Sequence, residues 1–466
     1  RTKKGKNMIS KTNLHDKLNK NISPQDYLSN IQQFLNEENE KELLKYIKEI
    51  HNADLAEIIQ NLDDESRDNF IQSIKNEFDP EILTYLNDSV RDDVIDKLDI
   101  KQLASDFKEL DIDDAVDVVE DLEESEQEIV LSSLPVSERK LIEEGLNYPE
   151  DSAGRLMQRT FVAVDISWNV GNAIDYLRNA TEKLPQDFYD VYLVDKLNRV
   201  KGIVPLGRLM SSKREVKLNT IQNKETRVIN VLTDQEEVAY QFTKYAMVSA
   251  PVVNDQNNIM GSITVDDVVE VIEEEREEDI LKLGGVGQTD IFEATISTIK
   301  SRFSWLLVNL LTAIVASVVI AFFQASIEKV VALAVLMPIV ASMGGNAGTQ
   351  TMTVAVRALA TKELTPTNAL KIVGKEVFVG GINGIIFAII IGLISAYWFN
   401  DNLLGIIIAL AMIINLLIAG LVGAVIPITL NKMKIDPALA SGVILTTITD
   451  VFGFLSFLGL ATILLI

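Results

Sequence analysis

The residue in this sequence with the strongest chemical demand is Asp450, a lone carboxylate near the middle of the last apolar stretch, LASGVILTTITDVFGFLSFLGLATILLI from Leu439. An aspartate at the centre of a bilayer costs about 2.5 to 3.5 kcal/mol on insertion scales, so it normally faces a polar cavity or a partner. Thr446, Thr447 and Thr449 add oxygens beside it, a donor set that suits a hard cation. The alternative is an interhelical hydrogen bond with no role in transport.

Two further groups of acids invite the same chemistry. In DDAVDVVEDL, Asp113 and Asp117 stand four apart and share a helix face, where like charges repel unless a cation neutralises them. In VDDVVEVIEEEREEDILKLGG, residues 265 to 285, Asp267, Glu270, Glu274 and Glu278 follow helical spacing down one side, with Glu275 and Asp279 beside them. Divalent ions held between these helices would relieve the repulsion; a solvated charged face is the plainer reading. No Asp-x-Asp-x-Asp-Gly order with a closing Glu is present, which excludes an EF-hand loop. A fourth group is LMPIVASMGGNAGTQ, residues 336 to 350. Here Pro338 with Gly344, Gly345 and Gly348 predicts a broken span, and Asn346 and Gln350 add oxygens. Helix packing alone would explain the glycines but not the amides.

Composition narrows the donors. The chain has no cysteine, and its only two histidines are His15 and His51, so disulfides are excluded and a soft-metal or imidazole site is disfavoured. Carboxylate, carbonyl and water remain, the ligands of Mg, Ca or Mn. Charge divides near residue 290. Residues 1 to 290 hold 34 Lys and Arg against 60 Asp and Glu, and the remainder 9 against 7. An acidic half of this kind attracts cations and argues against nucleic acid as a partner. No nucleophile, base and orienter constellation or phosphate loop is visible, so the chain does not read as an enzyme.

The elements that must position these residues form a multi-domain membrane protein. Residues 1–24 read as a disordered start, with RTKKGKN before Met8 as an expression remnant, and no secretory signal is apparent. Residues 25–150 alternate short amphipathic pieces, among them LAEIIQNL, EILTYL, DDVIDKL and QLASDFKEL, that cannot bury their faces alone; stacked, they predict an acidic, all-α, solenoid-like domain. From Gly154 the pattern turns to strands and short helices and occurs twice, over 153–213 and 214–272. Lys201-Gly202 matches Met260-Gly261 at a spacing of 59. This α/β repeat resembles a tandem CBS pair. Such pairs often bind adenine nucleotides through a hydroxyl and an aspartate. Thr264 and Asp267 fit in the second copy, but the first reads Pro205-Leu206-Gly207-Arg208, which argues against nucleotide as a cofactor. Residues 273–303 follow as the connecting (plug) helix region, in which the acidic run from Val265 ends at Gly284 and Gly285 and a linking helix leads on to Lys300 before the first span. Residues 304–466 then hold five apolar spans, approximately 304–323, 331–356, 372–398, 403–430 and 438–466, each long enough to cross lipid. Lys300, Arg302, Arg357, Lys362, Lys371, Lys375, Lys432 and Lys434 all fall on one side, which predicts a plasma-membrane protein with its acidic domains in the cytoplasm and its C-terminus outside.

The acidic helical domain, CBS pair, acidic connecting helix, GGNAGTQ, DPALASG from Asp436 and TTITDVFGF from Thr446 together resemble the MgtE family of magnesium channels, over nearly the whole chain. The resemblance implies a homodimer of the cell inner membrane with one pore on its axis, closed by its plug helices when cytosolic Mg²⁺ is high. It implies Asp450 as the pore acid with Gly442 and Thr446 near it. It sets Glu81, Asp113 and Asp117 across regulatory Mg²⁺ from Asp267, Glu270, Glu275, Glu278 and Asp279. Thr349 stands where the family commonly has Asn, and Ala246 where an acid is common, which implies fewer sensing sites. A transporter coupled to Na⁺ or H⁺, or a non-conducting membrane sensor, are the competing readings.

Overall fold

A computed structural model describes residues 24–465 except 38, 99, 101, 102, 104–106, 108, 109, 181–183, 186, 187 and 287–294. The expectations for the first 23 residues and for most of QLASDFKEL lie outside the described residues. The described chain falls into two compact units, one up to Val268 and one from Val269.

The first unit opens with helices α1 (Pro24–Asn36), α2 (Glu40–Ile47), α3 (Asn52–Asn61), α4 (Asp64–Ile74), α5 (Asp88–Ile95), α6 (Ile112–Asp121), α7 (Glu124–Ser133) and α8 (Val136–Leu146). EILTYL lies in a 3₁₀ turn, Pro80–Tyr85, opened by the capping Asp79 and by Pro80, whose fixed φ suits a first helical position. Each helix buries one stripe, in α6 Ala115, Val116, Val118 and Val119, into a common core with Phe70, Leu83 and Ile142. Two buried arginines stitch successive helices. Arg67 donates to the carbonyls of Ile59 and Leu62, at 3.1 Å each, and to Asp93. Arg91 donates to Asp117 and Asp88, at 2.7 Å each, and also to Asp121. Each arginine thus reaches an acid 26 residues ahead, so the ion pairs repeat as the helices do.

After a short α9 (Ala153–Leu156) comes the duplicated module: β1 (Ala163–Asp165), α10 (Val170–Asn179), β2 (Asp190–Val194), β3 (Val200–Pro205), α11 (Leu206–Ser211) and α12 (Leu218–Ile221), then β4 (Ile229–Asn230), α13 (Gln235–Tyr245), β5 (Ser249–Val253) and β6 (Ile259–Thr264). Each copy is a three-stranded sheet, one parallel and one antiparallel pairing, with the same register shift at Leu193/Val194 and Val252/Val253. The hairpin turns match as well: Asn198 and Asn257 both take the left-handed conformation (φ 60° and 64°) that asparagine tolerates. Tyr192, Val194, Val200 and Ile203 of one copy share a core with Val253 and Ile259 of the other.

The next helix, α14 (Val265–Leu283), follows β6 without a break and carries the acidic run; Gly285 (φ 70°) closes it. In the second unit α15 (Thr295–Phe322), α16 (Gln324–Lys329), α17 (Ala332–Ala360), α18 (Ala369–Phe399), α19 (Asn402–Lys432) and α20 (Pro437–Leu465) follow. Among the described residues five helices are long and apolar enough to cross a membrane, as expected from hydropathy. The first is not split into linker and span: α15 is continuous. Nor is the second broken. α17 runs through Pro338 and all three glycines as one helix. Proline falls in its second turn, where one lost hydrogen bond is tolerated, and the glycines serve close packing. A side-chain carbon on Gly344 would lie 2.2 Å from Asn415 Nδ2, and one on Gly348 would lie 2.8 Å from Leu445. A glycine seam likewise joins α18 to α19: a β-carbon on Gly380 would meet the Leu416 carbonyl at 2.5 Å, and on Gly420 the Glu376 carbonyl at 2.7 Å.

Candidate cation sites

On α20, Gly442, Thr446 and Asp450 recur every four residues and so share one face, while Leu445, Thr449 and Gly453 turn into the bundle. Asp450 is half-buried, Thr446 is exposed, and no atom comes within 4 Å of a side-chain carbon placed on Gly442. The threonine hydroxyls are spent locally. Thr446 donates to the Gly442 carbonyl (3.0 Å), Thr447 to that of Val443 (2.7 Å) and Thr449 to that of Leu445 (3.1 Å). Their oxygens remain acceptors. On α17, Gly344 and Gly348 are buried, Gly345 has nothing within 4 Å, and Asn346 is exposed with its amide donating to Ser342 Oγ at 3.3 Å. Within one copy, then, Asp450 is the sole carboxylate of its helix and sits on an open face. Among the described residues no three acids or histidines converge tightly enough to enclose a metal.

The acids of the first unit are held very differently from one another. Glu81 accepts from Asn52 Nδ2 at 2.8 Å, and Asp117 from Arg91, as above. Asp113 has neither kind of support: its Oδ1 is sealed from solvent with no hydrogen-bond partner. Burial, then the charges of Asp114, Asp267 and Asp111, raise its pKa well above the carboxylate range. Asp267, at the start of α14, accepts from the Thr264 hydroxyl at 2.8 Å, and Gln158 lies 3.4 Å away. Burial pushes it up to about 6 even so. Asp111 is raised by burial and by the charges of Glu81 and Asp266. The structure therefore brings Asp113 and Asp267 into one electrostatic cluster, from two segments far apart in sequence. The Thr264–Asp267 contact is used inside this cluster. A separate cleft of about 390 Å³, lined by Asp190, Arg227, Tyr245 and Ser249 among others, lies in the CBS pair.

In the second unit Glu270 is exposed and Glu275 half-buried on α14. Glu278 pairs with Lys282, whose Nζ also lies 2.7 Å from Asp436 Oδ2. Asp279 is raised by burial and by the charge of Asp436. Sequence reasoning passed over Lys282, one base in an acidic run, and Asn415, one amide in an apolar span; the isolation of each residue type was the only available signal.

Known families match successive stretches of the chain. A family model described as a divalent cation transporter matches residues 337–460, one for the MgtE intracellular N domain matches 50–151, and one for the CBS domain matches 221–274. The chain is 32% identical over 357 residues to the magnesium transporter MgtE of Bacillus subtilis, covering 76% of this chain and 78% of that one. It is 34% identical to the magnesium transporter MgtE of Thermus thermophilus, over 70% of this chain and 73% of the relative. Among solved structures, the cytosolic domain of the Mg²⁺ channel MgtE in complex with ATP aligns at 27% identity and a TM-score of 0.48, covering 52% of this chain and 99% of that one.

Proposed function

This chain belongs to the MgtE family of magnesium transporters, a multi-pass membrane family that carries Mg²⁺, and on that footing we propose that it is a Mg²⁺-selective channel closed by Mg²⁺ bound to its cytosolic acids. Two copies place their Asp450 faces together, which explains why one copy leaves Gly442, Thr446 and Asp450 on an open side. A single carboxylate per copy holds the ion through its water shell, because Mg²⁺ dehydrates reluctantly and needs near-octahedral oxygens. It therefore binds loosely enough to leave. The membrane potential contributes about 2.3 kcal/mol per charge per 100 mV, hence about 4.6 for a divalent ion, and inward flow needs no coupled Na⁺ or H⁺. The five spans leave the C-terminus outside if the acidic domains are cytosolic.

The observation that carries the gating reading is the sealed, unpartnered Oδ1 of Asp113 beside the charge of Asp267. A divalent ion there supplies the missing partner and offsets the repulsion; its loss lets the two segments separate. Glu81 and Asp117 add to the acidic field of the first unit, and the sensing role extends to Glu270, Glu275, Glu278 and Asp279 as further cytosolic acids. Planar-bilayer recording tests both parts. Discrete openings that disappear in Asp450→Asn, and that millimolar cytosolic-side Mg²⁺ suppresses in the native chain but not in Asp113→Asn, support the proposal. Flux without unitary steps, strictly dependent on a Na⁺ or H⁺ gradient, would replace the channel with a coupled transporter. Absence of any Mg²⁺ flux would leave only a sensor.

A further inference from the structure

Asn415 is the only asparagine or glutamine among the described residues whose side chain is completely enclosed, at 0% exposure. It lies within α19, surrounded by Ala411, Met412, Leu416 and Ala419 of its own helix, all buried. Its Nδ2 donates to the Val340 carbonyl of α17 at 2.7 Å, and its Oδ1 is sealed with no partner. An enclosed amide left half-satisfied costs free energy that a leucine of similar size would not. Stability does not account for it.

Its neighbours suggest what does. The carboxamide is wedged against two backbones: a side-chain carbon on Gly344 of α17 would lie 2.2 Å from Nδ2, and one on Gly453 of α20 would lie 2.9 Å from it. Gly344 opens the Gly344-Gly345-Asn346 segment, and Gly453 follows Asp450 by less than one helical turn. Val340 stands one turn before Gly344, so its carbonyl is the intrahelical acceptor for the Gly344 N–H. The amide therefore grips α17 at the turn that presents Gly345 and Asn346, and seats α20 at the turn that presents Asp450.

We infer that Asn415 is a positioning residue for the ion path, setting the distance between the Gly345–Asn346 turn and Asp450 and thereby the discrimination between Mg²⁺ and the larger Ca²⁺. The inference rests on the proposed role of Asp450. It follows from the two ions' demands: Mg²⁺ holds a tight octahedral water shell, whereas Ca²⁺ accepts six to eight oxygens in loose geometry, so a fixed spacing of outer oxygens favours the former. Loss of the grip relaxes that spacing without emptying the site of its carboxylate.

The test uses the full chain in liposomes, with Mg²⁺ and Ca²⁺ uptake measured separately for Asn415→Leu, which keeps the branched outline of the side chain, and Asn415→Ala, which removes the carboxamide without adding bulk. Thermal unfolding in detergent runs alongside. In each folded variant the Mg²⁺:Ca²⁺ uptake ratio is expected to fall about tenfold, the equivalent of one buried hydrogen bond, while maximal Mg²⁺ flux per folded chain changes less than about twofold. An unchanged ratio in either folded variant overturns the inference. Asp450→Asn in the same liposomes separates the two ideas: if it too leaves Mg²⁺ uptake intact, the channel reading fails first, and if it abolishes uptake while the Asn415 variants keep the native ratio, only the positioning role is lost.

Discussion

Lys282 Nζ lies 2.7 Å from Asp436 Oδ2, tying the last turn of α14 to the residue that caps the final span, since the other Asp436 oxygen accepts from the Ala438 N–H at 2.7 Å. Burial opposes the lysine charge, but hydrogen bonds to Asp436 and Glu278 and their charges outweigh it and hold its pKa above the ordinary range. The ammonium is thus a built-in cation among Glu278, Asp279 and Asp436. Replacing it by glutamine leaves three carboxylates uncompensated. Lys282→Gln is expected to loosen the end of α14 by roughly 1–2 kcal/mol, between surface and buried ion-pair values. Hydrogen exchange at amides 278–283, without Mg²⁺, then accelerates about tenfold; exchange equal to the native chain would refute the tie.

Asp113 and Asp267 repel in the absence of a cation, so neutralising either has two opposite effects. In EDTA, Asp113→Asn is expected to raise the unfolding temperature of the full chain, because the buried charge is gone. On adding Mg²⁺ the native chain gains about 2.7 kcal/mol at a hundredfold excess over Kd, and the variant gains much less. Equal Mg²⁺-induced shifts in the two proteins would remove Asp113 from the sensing site.

Ala246 closes α13 in the left-handed conformation, φ 49° and ψ 49°, which costs a residue with a β-carbon about 1–2 kcal/mol. Glycine removes that strain but orders more chain on folding, for a net gain of about 0.5–1 kcal/mol. Ala246→Gly should therefore melt higher, with an unaltered Mg²⁺ response. A lower melting temperature would contradict the assignment of strain.

The two buried arginines differ in what they leave behind. Arg67 serves carbonyls in the final turn of α3, which helical bonding leaves short of donors. Arg91 serves carboxylates, of which Asp88 and Asp117 are mostly exposed and can return to water. Arg67→Ala is expected to cost about 3 kcal/mol in urea unfolding and Arg91→Ala about half of that. The reverse order would show that the acids, not the carbonyls, set the cost.

Features that depend on local pattern were legible in the sequence. The five spans followed from run length, and the CBS repeat from Gly202 and Gly261, which sit at matching strand positions. The acidic helix α14 and its glycine end followed from spacing. Features that depend on a distant partner were hidden. Nothing in LKLGG marks Lys282 as the mate of Asp436, and the glycines of residues 344–348 suggested a break because the Asn415 and Leu445 side chains that fill their places stand on other helices. The threonines beside Asp450 counted as free oxygens by type, whereas a helix interior offers each hydroxyl a carbonyl one turn back.

The seam between α18 and α19 bears on how such a bundle could move. With backbone carbonyls where β-carbons would stand on Gly380 and Gly420, neither helix can slide along its mate without driving Leu416 or Glu376 into main chain. The pair is a fixed post. Any side chain larger than hydrogen at either glycine would have to wedge the two helices apart, so their spacing is written into the main chain rather than into the side chains between them.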